Sequence, residues 1–406
     1  MKDKFMSVRT FSARAVATAL IAAGITSSLH AARPTRECAI EIGSNKPWVH
    51  VSINDSPPLW FILDSGAGGG SFLAKEAAER LGLKTGAETD THMGAGEGVN
   101  VGLSALKDVT LHVAGDTMAV PEMQVFSLAH VSPFEGRRLD GLLGSDFLQR
   151  NVVEIDYAKL KMRVIDPTEY TPGPSAIIVP ITVDGVAIAA ATIQRPGDAP
   201  IPCRVVIDTG VRTTLILYHP FVMKNRFLEV KEPMITATIG GGAGGETKGD
   251  LGRLETLRIG TLEFKNTPVI YSRDTVGVFA GEEDDGIVGG EILRRCKTTF
   301  DYPHSRLVFE PYPDGKPFEY DMSGLFLVGQ GTDYDRITIL SVAERTPAAE
   351  ARLMKGDQIV SIDGRPASKM GLDGVRQLFR EPKTYRLQVT RGKETLSIEL
   401  KTRRLV

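Results

Sequence analysis

Cysteine is scarce in this chain of 406 residues: Cys38, Cys203 and Cys296 are all there are. Three is odd, so at most one internal disulfide can form, and no C-x-x-C spacing suggests a zinc site. The better reading of all three is structural, as small apolar fillers. An excess of charge of either sign is also missing. Forty-eight basic residues face 50 acidic ones, for a net charge of −2. That excludes the basic footprint of a nucleic-acid binder and an acidic interaction tail. Past residue 32, no apolar run is long enough to cross a bilayer. The seven histidines form no H-E-x-x-H or paired spacing, which argues against a metallopeptidase. No G-x-S-x-G provides a serine nucleophile. The glycine run at 240–245 leads into Glu246-Thr247-Lys248, not the Gly-Lys-Ser/Thr of a phosphate loop. The acidic run Glu282-Glu283-Asp284-Asp285 reads as a solvated turn rather than a cation site. No metal and no cofactor is implied.

What is abundant is glycine, with 42 residues, which suits a turn-rich β protein. The length implies two or three domains. At the N-terminus, Lys2, Lys4, Arg9 and Arg14 precede a short apolar stretch from Ala15 to Ile25, and then small residues through Ala31 and Ala32. This is the layout of a secretory signal peptide, taken as residues 1–31, and it implies export to the periplasm or the exterior. Thr35-Arg36-Glu37 lack the small and apolar residues that would mark Cys38 for lipid anchoring.

The remainder reads itself twice. Trp60-Phe61-Ile62-Leu63 runs into Asp64-Ser65-Gly66, and Arg204-Val205-Val206-Ile207 runs into Asp208-Thr209-Gly210, 144 residues later. Asp140-Gly141-Leu142-Leu143-Gly144 matches Asp285-Gly286-Ile287-Val288-Gly289 at a shift of 145, and Glu154-Ile155-Asp156-Tyr157 matches Thr299-Phe300-Asp301-Tyr302 at the same shift. Glycine clusters from His92 to Gly98 and from Ile239 to Gly245 also correspond. Ordered landmarks at one offset imply two similar lobes. Alternating and β-branched runs predict strands in each copy. Short helices are expected over Leu73–Leu83, Phe147–Arg150 and Glu291–Arg295. Linkers are expected at Thr171-Pro172-Gly173-Pro174 and at Pro311-Tyr312-Pro313-Asp314-Gly315.

An Asp-Ser/Thr-Gly loop at the end of a buried strand holds a carboxylate in a tight turn that glycine permits. Two such loops meeting at a pseudo-twofold axis would bring Asp64 and Asp208 together, with the Ser65 and Thr209 hydroxyls available to lock each loop to the other. Paired carboxylates share a proton and titrate as a unit. The ionised member can take a proton from water and the protonated member can donate one to a substrate carbonyl, which is metal-free amide hydrolysis.

These motifs resemble the retropepsin-like aspartic peptidases, in a bacterial single-chain form with both lobes fused, over roughly residues 40–312. The resemblance implies Asp64 and Asp208 as catalytic residues, supported by Ser65, Gly66, Thr209 and Gly210. It implies that Gly141, Leu142, Leu143 and Gly144, with Gly286, Ile287, Val288 and Gly289, thread beneath the active loops. It implies glycine-rich hairpin flaps around Gly94 and Gly96 and around Gly240 and Gly241. Val211, where the family favours a small residue, is a departure, and the Ser65/Thr209 difference makes an asymmetric hydroxyl lock conceivable.

From about residue 320 a third pattern begins. Thr346-Pro347-Ala348-Ala349 and Lys355-Gly356-Asp357-Gln358-Ile359 through Ile362-Asp363-Gly364 resemble the PDZ domains of bacterial envelope proteases. That resemblance implies peptide binding around Gly324, Leu325, Phe326 and Leu327. The expected fold class is mainly β: two pseudo-symmetric acid-protease-like β lobes plus a small α+β PDZ domain. The expected domains are residues 36–168 for lobe 1, 176–312 for lobe 2 and 320–406 for the PDZ domain. The partners would be a peptide or protein substrate and a C-terminal peptide ligand, with no nucleic acid, no transmembrane anchor after signal cleavage and no need of a dimer. The alternative is a non-catalytic peptide-binding envelope protein that uses the same cleft and PDZ domain.

Overall fold

The structure, a computed structural model, describes residues 33–87, 90–92, 101–229, 234–242, 245–313 and 317–406. The expected signal segment, and Gly94 and Gly96 of the first flap, lie outside the described residues. The protein is built mainly from β-strands.

The apolar strands that precede the two Asp-Ser/Thr-Gly motifs occupy equivalent places. Leu59–Leu63 pairs antiparallel with Lys46–Ile53, and Ile201–Ile207 pairs antiparallel with Val186–Gln194. Each then takes a parallel neighbour from far along the chain: Gly141–Leu143 beside Leu59–Leu63, and Gly286–Val288 beside Ile201–Ile207. These short strands are also paired antiparallel on their other side, with Phe72–Ala74 and Leu215–Leu217 respectively. A strand hydrogen-bonded on both edges, its side chains facing protein, needs apolar residues throughout. Leu-Leu and Ile-Val meet that need.

The expected helix over Leu73–Leu83 is shorter than its pattern suggested. Leu73 and Ala74 belong to the strand Phe72–Ala74, and the helix covers only Lys75–Arg80. Pairing with Gln124–Phe126 on one side and Gly141–Leu142 on the other draws these residues into the sheet. Tertiary pairing here outweighs helix propensity. The other two expected helices occur as Ser145–Arg150 and Gly290–Leu293. Residues 171–174 form no regular element, and Pro311 is the last residue of a strand.

The third repeated landmark proves to be the bridge between the halves. Val152–Asp156 pairs antiparallel with Cys296–Asp301, placing Glu154 opposite its repeat counterpart Thr299. The flanking hairpin partners Lys161–Ile165 and Arg306–Pro311 widen this shared layer. One continuous hydrophobic core runs through both halves.

The C-terminal part has its own core. Its strands lie in the order Leu325–Gln330, Arg336–Val342, Gln358–Ile362, Thr384–Arg391, Glu394–Lys401. Leu325–Gln330 is therefore an edge strand. The helix Ala367–Leu378, broken at Gly371 (φ 67°), packs beside it.

The bridge yields a test. Phe300 is fully buried opposite Val153. Phe300→Ala should destabilise the protein by about 3–5 kcal/mol, read from the urea unfolding midpoint, with both halves melting together because their core is shared.

Candidate active site

The two Asp loops meet. Asp64 and Asp208 each follow a buried strand, and each backbone N–H is held by the threading strand beside it. Asp64 donates to the Leu143 carbonyl and Asp208 to the Val288 carbonyl, both at 2.9 Å. That places the Gly-apolar-apolar-Gly segments directly beside the two Asp loops.

The loops are locked to one another by their hydroxyl residues. Ser65 Oγ donates to the Ile207 carbonyl at 2.8 Å, and Thr209 Oγ1 donates to the Leu63 carbonyl at 2.5 Å. The backbone N–H of Ser65 donates to Thr209 Oγ1, and that of Thr209 to Ser65 Oγ, both at 3.0 Å. Ser65 and Thr209 are fully buried. The lock is reciprocal, despite the serine–threonine difference. Thr209 carries its additional methyl without losing either bond.

Glycine is required after each hydroxyl residue because the opposite carboxylate fills the space. A Cβ on Gly66 would lie 2.2 Å from Asp208 Oδ2, and one on Gly210 would lie 2.5 Å from Asp64 Cγ. The Gly66 N–H donates to Asp64 Oδ1 at 3.0 Å and also to Asp208 Oδ1 at 3.1 Å. One donor thus serves both carboxylates. The Gly210 N–H donates to Asp208 Oδ1 at 2.6 Å.

The two aspartates hydrogen-bond to each other and differ electrostatically. Burial, reinforced by the Asp64 charge, holds Asp208 well above the ordinary carboxylate range. Burial raises Asp64 as well, but its hydrogen bond to Asp208 and the Lys46 charge pull against the rise. Both carboxyl groups are thus held above their ordinary range, and the pair titrates as a unit.

Several residues at this site were not singled out from the sequence. Ser44 and Asn45, both with positive φ (50° and 63°), make the two-residue turn joining Glu41–Gly43 to Lys46–Ile53. Asn45 Nδ2 donates to the Arg212 carbonyl, just past the second loop, at 2.7 Å, and to Glu291 Oε2 at 2.8 Å. Lys46 Nζ pairs with the buried Glu135 Oε1 at 2.6 Å. Tyr302 reaches the Ser65 carbonyl at 3.5 Å. The one local signal was the Ser-Asn pair between strands, a hairpin turn composition. The lysine and glutamate are too far apart in sequence to announce each other.

The second flap candidate is a long hairpin, Ile235–Gly242 with Gly245–Ile259. Near its end, the His130 ring Nε2 lies 3.2 Å from the Gly242 carbonyl, so the hairpin reaches the other half. The first candidate hairpin pairs Asp90–His92 with Val101–Val113, and its tip lies outside the described residues.

No cluster of His, Cys, Asp and Glu suited to a metal ion occurs among the described residues. Glu282 and Glu283 are exposed, and Asp285 accepts from the Arg204 N–H at 2.8 Å. The three cysteines are unpaired. Burial pushes their thiols up, to about 11 for Cys38 and about 12 for Cys203 and Cys296, which suits an inert structural role.

The family model for aspartyl proteases matches residues 49–147 and 179–292, more than half the chain, and both Asp loops fall inside the match. The chain belongs to the aspartyl protease family. A PDZ domain model matches residues 323–402 of the same protease, which covers the edge strand and the helix beside it. A search of curated proteins found no match. No helix among the described residues of this aspartyl protease is long and apolar enough to cross a membrane.

Thr209→Val should separate lock from shape. It leaves the Leu63 carbonyl and the Ser65 N–H without their partner, at about 1–3 kcal/mol for each buried group left unpaired. Thr209→Ser keeps the hydroxyl and should lose only about 1 kcal/mol of methyl burial. Chemical denaturation of the two variants measures the difference.

Proposed function

We propose that this protein is an aspartic endopeptidase of the retropepsin-like type, with Asp64 and Asp208 as its catalytic residues. The observation that carries the reading is the single Gly66 N–H shared by both carboxylates, which keeps the pair together across the two halves. The ionised Asp64 accepts a proton from a water held between the two carboxylates. Asp208 donates its proton to the carbonyl oxygen of the scissile amide as the water oxygen attacks the carbon. The tetrahedral adduct then collapses with a proton passed to the leaving nitrogen, and the pair returns to its shared-proton state. No metal and no covalent intermediate enters.

Ser65 and Thr209 act through the loops: they fix the loop backbones and hence the spacing of the carboxylates. Gly66 and Gly210 allow that spacing. The hairpin around Gly240 and Gly241 covers the substrate. Residues 36–168 and 176–312 form the two lobes, and 320–406 the PDZ domain, which binds peptide. Residues 1–31 direct export, and the mature enzyme acts in the periplasm or outside the cell.

Three results would bear on this reading. Asp64→Asn and Asp208→Asn should each lower cleavage of a mixed peptide library by at least about 10²–10⁴-fold, whereas unchanged cleavage would remove the dyad from the reaction. The rate of the wild type should follow a bell-shaped pH profile with two apparent values belonging to the pair. Activity falls on the acid side as the pair takes up its second proton and on the basic side as it loses the shared one.

Stability gives an independent readout. A carboxyl group whose folded pKa is raised favours folding while it is protonated, and that contribution is lost as pH rises through the folded value. Asp208→Asn should therefore raise the melting temperature at neutral pH, with the gain shrinking as the pH falls and gone below about pH 4, where the unfolded carboxyl group is protonated too.

A further inference from the structure

The edge strand Leu325–Gln330 and the helix Ala367–Leu378 frame the groove in which a PDZ domain adds a peptide as an extra strand. An edge strand left open for a peptide should be exposed. Here Leu325 through Gly329 are all buried. The cover comes from the protease part of the same chain, the short helix Ser132–Glu135 and the Gly136 that ends it.

The fit is close on both walls. The Phe134 ring lies 6.0 Å from the Phe326 ring of the edge strand. Gly136 (φ 66°) lies so near the helix that a Cβ there would be 2.6 Å from Leu372 Cβ, and a Cβ on Gly329 would be 3.0 Å from the Gly136 Cα. Arg376, on the groove helix, ties the pieces together. It donates to the Phe134 carbonyl at 3.0 Å, to Ser44 Oγ at 3.1 Å and to the Leu327 carbonyl at 2.9 Å. Asp373, one turn earlier, accepts from the Ser44 hydroxyl at 2.8 Å and from its N–H at 2.5 Å. No backbone-to-backbone hydrogen bond joins the edge strand to this cover among the described residues; on the strand itself the Leu327 carbonyl is taken by Arg376 and the Leu325 N–H by Ser323 Oγ at 3.0 Å.

We propose that residues Phe134–Gly136 are an internal occupant of the PDZ groove, and that an extended peptide with an apolar last side chain gains the groove only by displacing them. The apolar preference comes from the space beside Gly324–Leu327, a cavity of about 200 Å³ whose walls include Leu251, Pro268, Ile270 and Leu325. Displacement would reach the dyad, a consequence that rests on the peptidase reading. Glu135 belongs to the covering helix and holds Lys46, whose charge acts on Asp64 and Asp208. Ser44 and Asn45, next to Lys46, join Asp373 to the Arg212 carbonyl. A peptide in the groove is thus a signal to the active site, not a substrate delivered to it.

The test needs no cleavage, so it stands or falls separately from the peptidase reading. The full chain and its Phe134→Ala/Asp373→Ala variant are titrated with a library of octapeptides ending in Val, Leu, Ile or Phe, with amidated copies as controls. Hydrogen exchange is followed at residues 132–137 and 325–329. The variant should bind at least 10-fold more tightly than the wild type, since an occupied groove reduces apparent affinity by its free fraction. Peptide bound to the wild type should speed exchange at 132–137 while slowing it at 325–329. The only two tryptophans, Trp48 and Trp60, clasp Arg137 at 4.5 Å each, so their fluorescence should change with the same midpoint. Equal affinity in the two proteins, no binding by either, or slowed exchange at 325–329 with none gained at 132–137 would each overturn the proposal. Ser44→Ala/Asp373→Asn, which keeps Phe134, decides the matter by the same criteria if the first variant does not fold.

Discussion

Everything at the centre of this protein depends on two buried hydroxyl groups, each hydrogen-bonded to the backbone of the opposite loop. Ser65 and Thr209 exchange two bonds with each other, and their hydroxyls donate two more to the Ile207 and Leu63 carbonyls of the opposite strands. Two carboxylates side by side in a buried site repel one another, and burial disfavours charge on either. The hydroxyl lock and the glycine N–H donors hold the pair against that repulsion, and a shared proton relieves it. The loops remain together because backbone groups that would otherwise be unpaired find partners only in this arrangement.

Around that lock the fold is a set of supports. Each aspartate N–H is taken by a threading strand, and each threading strand is paired on both sides. The bridge Val152–Asp156 with Cys296–Asp301 sets the distance between halves from behind. Since both halves share one core, the geometry of the carboxylates is coupled to global stability rather than to a hinge. Asymmetry enters through what lies beside the axis. Lys46 is supplied by one half only and stands against Glu135, and its charge lowers the proton affinity of both aspartates.

The C-terminal domain adds a second asymmetry. It packs against the turn Ser44-Asn45, which also bonds the Arg212 carbonyl just past the second Asp loop, and against the helix Ser132–Glu135. Its core is separate from that of the protease part, and the contact between them sets specific polar bonds beside the Phe134–Phe326 ring pair: Asp373 to Ser44, Arg376 to Phe134, Arg380 to Glu291. Such contacts can exchange with a ligand's own hydrogen bonds, whereas a shared apolar core could not.

Much of this was legible from the chain. The repeated Asp-Ser/Thr-Gly motifs, the Gly-apolar-apolar-Gly segments and the offset between copies determine a two-fold β architecture and its carboxylate pair, because each motif is local and its spacing repeats. The PDZ run is likewise local. What the sequence left open was decided by contacts between residues distant along the chain. Leu73 and Ala74 carry a helical pattern, but two neighbouring strands claim them. The serine–threonine difference left room for an uneven lock, and only the facing backbones make it reciprocal. Lys46 with Glu135, Asn45 with Arg212 and Phe134 with Phe326 carry no mark in the linear pattern. Each is an ordinary residue whose role comes from its partner, and which partner it meets depends on how the halves and the PDZ domain pack.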